Sequence, residues 1–123
     1  MTPQNKYHNK KVTLDNIVFD SKNEAAYYRD YLKPRLATGE IAKIEFHPKY
    51  TLVDKFERGN KKFRKLTYAA DFKIYRPDGT FYLVDVKGML TKEFLIKYKL
   101  FYYYYPDIPL LLVKKEKGQW VTF

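Results

Sequence analysis

Asp71 and the run Asp85-Val86-Lys87 are the residues of this chain best suited to chemistry. Between them lies Arg76-Pro77-Asp78-Gly79-Thr80, a tight-turn sequence. Proline presets the first corner of a type I turn, and glycine supplies the left-handed residue of a three-residue hairpin loop. If Arg76 faces Thr80 across that loop, equal steps outward along the two strands place Asp71 directly opposite Asp85. Directly opposed residues hold their Cβ atoms roughly 4.5–5.5 Å apart. Two carboxylates that close repel unless positive charge lies between them. A divalent cation answers that need, and Mg²⁺ binds through one or two carboxylates while keeping several waters. Lys87, two residues past Asp85, projects from the same face. Asp85 interrupts an otherwise apolar strand, Tyr82-Leu83-Val84-Asp85-Val86, where an unpaired charge is costly. Ala69 and Ala70, before Asp71, leave room for a ligand. A salt bridge from Lys73 or Lys87 to either aspartate is the alternative without a metal. The opposed pair followed by Lys87 favours the cation.

Glu24 is the third candidate carboxylate. Ser21-Lys22-Asn23-Glu24 matches a capping box, in which the glutamate returns to the helix N-cap amide. Local evidence therefore favours a cap, although a carboxylate can cap a helix and also hold a water beside a metal. The histidines are His8 and His47. Neither has a recognisable catalytic partner spacing, and His47, before Pro48 in a strand, reads as a packing or hydrogen-bonding residue. Gly-rich phosphate loops, a Ser-centred elbow and Cys/His zinc patterns are all missing from the sequence.

These groups need a scaffold, and 123 residues suffice for one domain with a real core but not two. We therefore expect a single domain over residues 1–123, with 1–11 a loose basic arm. The net charge is +10, from 24 basic against 14 acidic residues. That excess points to an anionic partner, of which nucleic acid is the commonest. There is no cysteine, which excludes disulfides and thiolate metal sites and fits a reducing cytoplasm. The start, MTPQNKYHNKK, has no apolar signal region, and no apolar run approaches the ~20 residues of a membrane span.

Along the chain, Val12–Leu14 and Ile17–Phe19 flank Asp15-Asn16 as a small hairpin. Asp20-Ser21 opens a helix with an apolar stripe at Ala25, Tyr28, Leu32 and Leu36, and Gly39 stops it. Pro34 should kink or end that helix near Lys33. Ile41–Val53 reads as extended, with Pro48 an edge or bulge. The basic excursion 54–65 reads as a hairpin tip turning at Arg58-Gly59-Asn60. Leu66–Tyr75 and Phe81–Lys87 form the central hairpin. Thr91 caps a second helix with stripe Phe94, Tyr98, Phe101 or Tyr102, and Tyr105, and Pro106 ends it. Ile108–Val113 is a core strand, and Gln119–Phe123 a short last one. The expected class is α/β, a mixed central sheet flanked by helices.

Several of these residues also carry a likeness. Glu24, Asp71 and Asp85-Val86-Lys87, in the order helix, strand, hairpin strand, resemble the PD-(D/E)xK restriction-endonuclease-like superfamily. Together with Phe19-Asp20-Ser21-Lys22-Asn23-Glu24-Ala25, Gly39-Glu40-Ile41, His47-Pro48-Lys49-Tyr50, Tyr68-Ala69-Ala70-Asp71-Phe72, Gly88 and Lys97-Lys99-Leu100-Phe101, they are similar to a family of small phage and prophage proteins placed among Holliday-junction-resolvase-like nucleases. The likeness spans about residues 12 to 113, and Ala70 stands where the superfamily's name has proline. It implies an αβββαβ restriction-endonuclease-like core, helix continuation past Pro34 to about Ala37, and metal-dependent cleavage of DNA phosphodiesters.

By the same resemblance Asp71, Asp85 and the Val86 carbonyl ligate Mg²⁺, for which Mn²⁺ can substitute. Glu24 joins them through a water on the metal, and Lys87 orients the attacking water or stabilises its hydroxide form. The leaving oxygen is then the 3′ side, which yields a 5′-phosphate. The implied enzyme is an endonuclease acting on branched DNA. Alternatives are a transposition- or repair-type nuclease of the same fold, or a basic nucleic-acid-binding module without catalysis. Lys55, Arg58, Lys61, Lys62, Arg64 and Lys65 in the excursion, and Lys22 with Lys6, Lys10 and Lys11 near the N-terminus, are the candidate phosphate contacts. Each is equally readable as a solvated surface charge. Resolving a four-way junction needs paired cuts, which suits a two-fold homodimer. The Tyr102–Tyr105 run follows helical periodicity and reads as core or dimer interface rather than a base-stacking platform. The expected location is the cytoplasm of a bacterial or phage-infected cell.

Overall fold

Turn and cap chemistry sets where most elements begin and end. In the computed structural model residues 10–123 are described. Residues 1–9 of the expected arm, with Lys6 and His8, lie outside them. Strands β1 (Val12–Leu14) and β2 (Ile17–Phe19) pair antiparallel around Asp15 and Asn16. Both turn residues adopt the left-handed φ that Asx side chains tolerate. Ser21 is the N-cap of α1 (Lys22–Tyr27), its Oγ accepting from the Glu24 amide at 3.1 Å. A π-helical segment (Tyr28–Leu32) and α2 (Lys33–Thr38) continue the chain to Gly39, which closes it at φ 83°. Pro34 therefore neither ends nor breaks the helix. The widened π turn just before it accommodates a residue that has no N–H to donate and a ring that would clash with a regular turn.

The remaining elements are β3 (Lys43–Phe46), β4 (Lys49–Val53), β5 (Phe56–Arg58), β6 (Lys61–Phe63), β7 (Leu66–Ala69), β8 (Phe72–Tyr75), β9 (Phe81–Val86), α3 (Lys92–Tyr104), β10 (Leu110–Glu116) and β11 (Gln119–Thr122). A five-stranded mixed sheet runs in the order β11-β10-β9-β8-β3. The β9–β10 pair is parallel and the others antiparallel. The loop between β8 and β9 is the predicted one. The Arg76 amide donates to Thr80 O at 2.8 Å, and Gly79, at φ 89°, donates to Arg76 O at 2.9 Å. The register follows from Tyr75↔Phe81 to Phe72↔Val84.

The β-strand pleat sorts two cores onto opposite faces of the sheet. Phe72, Ile74, Val84 and Val86 join Phe19, Ala25, Tyr28 and Leu32 beneath the first helical stretch. Leu83, Leu110 and Leu112 join Tyr68, Phe94 and Phe101 beneath α3. Phe19, Phe72 and Phe101 are wholly buried, each worth roughly 1.5–3 kcal/mol of transfer free energy. Thr91 caps α3 as expected, accepting from the Phe94 amide at 3.1 Å. Of the two expected roles for Tyr102, Tyr103 and Tyr104, core or dimer interface, the core one is corrected: they are exposed, because α3 turns only its Phe94–Phe101 side to the sheet. No helix among the described residues is long and apolar enough to cross a membrane.

Two expected strands are broken. Ile41–Val53 splits at His47-Pro48 into β3 and β4, and Leu66–Tyr75 splits at Ala70-Asp71 into β7 and β8. The breaks face each other: the His47 amide donates to Asp71 O at 3.0 Å, and the Ala70 amide to Pro48 O at 3.1 Å. His47 takes a left-handed φ of 53°, and Pro48 cannot donate to a ladder, so both strands leave the central sheet together. Beyond the break β4 and β7 pair as a separate ribbon. It leans on α3, where Tyr105 donates its hydroxyl to Thr51 O at 2.7 Å.

Candidate metal centre

The break decides the chemistry of Asp71. Had the β8–β9 ladder run on, Asp71 would have paired with Asp85 and Ala70 with Val86. Instead the ladder stops at Phe72↔Val84. The Asp71 amide turns to Val84 O at 3.1 Å, so two residues of one strand face one of the other, a β-bulge. The expected direct pairing of Asp71 with Asp85 is corrected to this extent. The Val86 amide, deprived of the Ala70 carbonyl, donates to Asp71 Oδ2 at 2.7 Å. The Ala70 amide, committed to Pro48, no longer meets the Val86 carbonyl. Asp71 and Val86 both line the cleft beside the break.

Asp85 remains beside Asp71, close enough for its negative charge to act on the Asp71 carboxyl. It is only 1% exposed. The Tyr68 hydroxyl donates to Asp85 Oδ2, and the Lys87 ammonium lies 3.5 Å from Oδ1. Burial, then the negative charge of Asp85, pushes the Tyr68 hydroxyl well above tyrosine's ordinary value, so it stays a donor. Lys87 also lies 4.1 Å over the Phe94 ring, which steers the ammonium. The expected salt bridge of Lys87 to an aspartate is therefore present, and it coexists with the crowded pair. Lys73, the other candidate partner, instead sits 4.1 Å over the Phe81 ring.

Glu24 approaches from the N-terminus of α1 and is 4% exposed. Its Oε2 lies 3.4 Å from Ser21 Oγ, and its Oε1 lies 3.3 Å from His47 Nε2. Burial is the main force raising the Asp71 carboxyl well above the usual carboxylate range. The charges of Asp85 and then Glu24 add to it, while the Val86 amide opposes it. Three acids therefore share one electrostatic problem. Asp71, Val86, Lys87 and Glu24 line a common cleft of about 530 Å³ with Asp20, Ser21, Asn23 and Thr91.

Sequence reasoning missed two members of this cluster and undervalued a third. Asp20, Glu24 and His47 are the set of three acid or imidazole ligands whose atoms lie within 4.8 Å of one another among the described residues. Glu24 is nearer to that set than to an all-carboxylate trio with Asp71 and Asp85. His47 was readable as a hydrogen-bonding residue, and it is one, but its partner was not. Tyr68 was the other omission, although a tyrosine on the buried face of a strand needs a partner for its hydroxyl. The predicted phosphate contacts Lys55, Arg58, Lys61, Lys62, Arg64 and Lys65 all lie exposed on or beside the β5–β6 hairpin, away from the central sheet, and Lys22 is exposed at the start of α1. The hairpin turns at Gly59-Asn60, between Arg58 and Lys61, as expected.

Among known families, the one described as "Protein of unknown function (DUF1064)" has a model that matches residues 4–119 of the chain. No curated protein and no solved structure matches it.

Proposed function

We propose that this chain, which belongs to the DUF1064 family, is a divalent-metal-dependent endonuclease with a restriction-endonuclease-like core that hydrolyses phosphodiester bonds in branched DNA. One observation carries the reading. Where β7 and β8 part, Asp71 and Val86 line one cleft with Glu24 and Lys87, and the buried Asp85 sits beside Asp71 with its carboxyl 3.5 Å from the Lys87 ammonium. Like charges are brought together there at a cost that a cation removes.

The donor set fits a hard cation. Asp71, Asp85 and the Val86 carbonyl offer oxygens only, which suits Mg²⁺ or Mn²⁺, and Glu24, which groups with Asp20 and His47, would join through a bound water. Held there, such an ion neutralises charge on a phosphate and lowers the pKa of water. The protein's own groups do the rest. Asp71 is fixed by the Val86 amide and Asp85 by Tyr68, so neither carboxylate has to reorganise. Lys87 is partly exposed and, anchored by Asp85 and Phe94, presents its ammonium to nonbridging phosphate oxygens as negative charge grows on them. Glu24 accepts a hydrogen bond from the attacking water. Water oxygen bonds to phosphorus as it gives up a proton to solvent, the bond to O3′ breaks, O3′ takes a proton from solvent, and the products are a 5′-phosphate and a 3′-hydroxyl. Paired cuts at a four-way junction call for two copies, so the working form is a two-fold homodimer in the cytoplasm.

The test is cleavage of four-way, flap and linear DNA with and without Mg²⁺ or Mn²⁺. Metal-dependent cutting of branched substrates, lost in Asp71→Asn while DNA binding persists, is the expected result. Binding without cutting of any structure in either metal overturns the reading.

A further inference from the structure

The β5–β6 hairpin is unlike the rest of the molecule. Every residue of its two strands is exposed, so no core holds it. Yet Phe56 and Phe63 pair across it, their rings stacked at 4.6 Å with 12° between planes, and both rings are open to solvent. Strand alternation places the Arg58↔Lys61 pair on the same face as the two rings, and Glu57↔Lys62 on the other. Residues 54–65 hold six basic side chains against two acidic ones. An apolar aromatic surface set among cations suits a ligand that offers flat π faces and negative charge together, as unpaired nucleic-acid bases on a phosphate backbone do. An acidic peptide would match the cations but offers the stacked rings few flat π faces. A paired duplex buries its base faces and would leave the rings unused.

We propose that the β5–β6 hairpin is a branch-sensing arm, in which Phe56 and Phe63 stack on base faces laid open where strands part or exchange, while Arg58 and Lys61 hold the adjoining phosphates. The inference rests on the reading that DNA is the substrate, and it assigns the selectivity for branched DNA to this arm rather than to the cleft. Phe63 is eight residues from Asp71 along the chain. An extended chain of that length spans at most about 29 Å between Cα atoms. At 3.4 Å per base pair that is roughly nine base pairs, so with the reach of the side chains the cut falls within about one helical turn of the branch.

The experiment uses the full chain carrying Asp71→Asn, so that binding is read apart from cleavage. Anisotropy measures affinity for a four-way junction, single-stranded DNA and linear duplex, and 2-aminopurine at the junction reports stacking. Phe56→Val/Phe63→Val retains strand propensity and an apolar pair but removes the rings. Phe56→Tyr/Phe63→Tyr retains them, and circular dichroism checks the fold of both. The Val pair is expected to lose roughly 5- to 100-fold in junction and single-strand affinity, with duplex affinity within about twofold and the 2-aminopurine change abolished. The Tyr pair restores both. Arg58→Ala/Lys61→Ala should instead lower the slope of log affinity against log salt by about two.

Equal affinities of the Val pair and its parent for all three ligands would overturn the proposal. So would an equal loss on all three, or a change in oligomeric state without a change in DNA binding. Absence of cleavage by the unsubstituted chain would refute the nuclease and leave the arm standing. Normal junction cleavage with an inert Phe pair would do the reverse.

Discussion

Replacing Asp71 by asparagine probes the crowded acids directly. The amide has the shape of the carboxylate, and its oxygen can still accept from the Val86 amide, which lies 2.7 Å from Oδ2. What disappears is the negative charge beside Asp85 and Glu24. The Asp71 carboxyl is held above its ordinary value by burial first and by those two charges next. Because its folded pKa lies above its unfolded one, folding takes up a proton. The metal-free protein should therefore lose stability as pH rises from about 4 toward the raised folded value. Two unit charges at 4 Å repel by about 4 kcal/mol at an effective dielectric constant of 20. Partial protonation and relaxation leave on the order of 1–3 kcal/mol at pH 8.

Asp71→Asn should therefore melt higher than its parent at pH 8 in EDTA, by roughly 3–5 °C per kcal/mol for a chain of this length. The difference should vanish near pH 4. Addition of millimolar Mg²⁺ should raise the melting temperature of the parent but not of the variant. The assay is differential scanning calorimetry across pH, with and without metal, beside the cleavage assay. A variant that melts lower than its parent at pH 8, or that still gains stability from Mg²⁺, would refute the account of this pair as a cation site.

Tyr68→Phe removes the donor to Asp85 Oδ2 and leaves a buried acceptor short of a partner, so urea unfolding should show a loss of about 1–3 kcal/mol. Lys87→Ala removes both the cation 3.5 Å from Asp85 and the charge facing the cleft. Single-turnover cleavage should fall at least about 100-fold while DNA affinity changes only a few-fold. Glu24→Gln leaves the cap intact, because Ser21 supplies it. Its melting temperature should stay within a few degrees of the parent while cleavage is lost, and retained cleavage would return Glu24 to a structural role.

Much of the site was legible because it is built from local rules. Pro77 and Gly79 dictated a loop whose register carried Phe72 opposite Val84, and hence Asp71 to the neighbourhood of Asp85. Ser21 and Thr91 announced the starts of α1 and α3, and Gly39 the end of α2, since a cap needs only residues a turn apart. The tip of the basic excursion was equally readable from Gly59 and Asn60. The helix runs past Pro34, as the resemblance implied, and the local reading of a stop near Lys33 failed because a proline's cost depends on the turn before it, and the π-helical segment had no sequence signal of its own.

Residue types and spacing by themselves settled that this chain holds a tight central hairpin, capped helices, and a lysine and two acids at one end of it. Those are consequences of turn and pleat geometry, which neighbours along the chain decide. Only the tertiary structure decided that the extended stretches Ile41–Val53 and Leu66–Tyr75 break together, at His47-Pro48 and Ala70-Asp71. That double break diverts the Val86 amide to Asp71 and parts the Val86 carbonyl from Ala70. The fold likewise chose Tyr68 as the partner of Asp85, and brought His47 and Asp20 to Glu24. Each of those contacts joins separate elements, and a buried acid takes whichever donor the packed chain brings within reach, which no local pattern encodes.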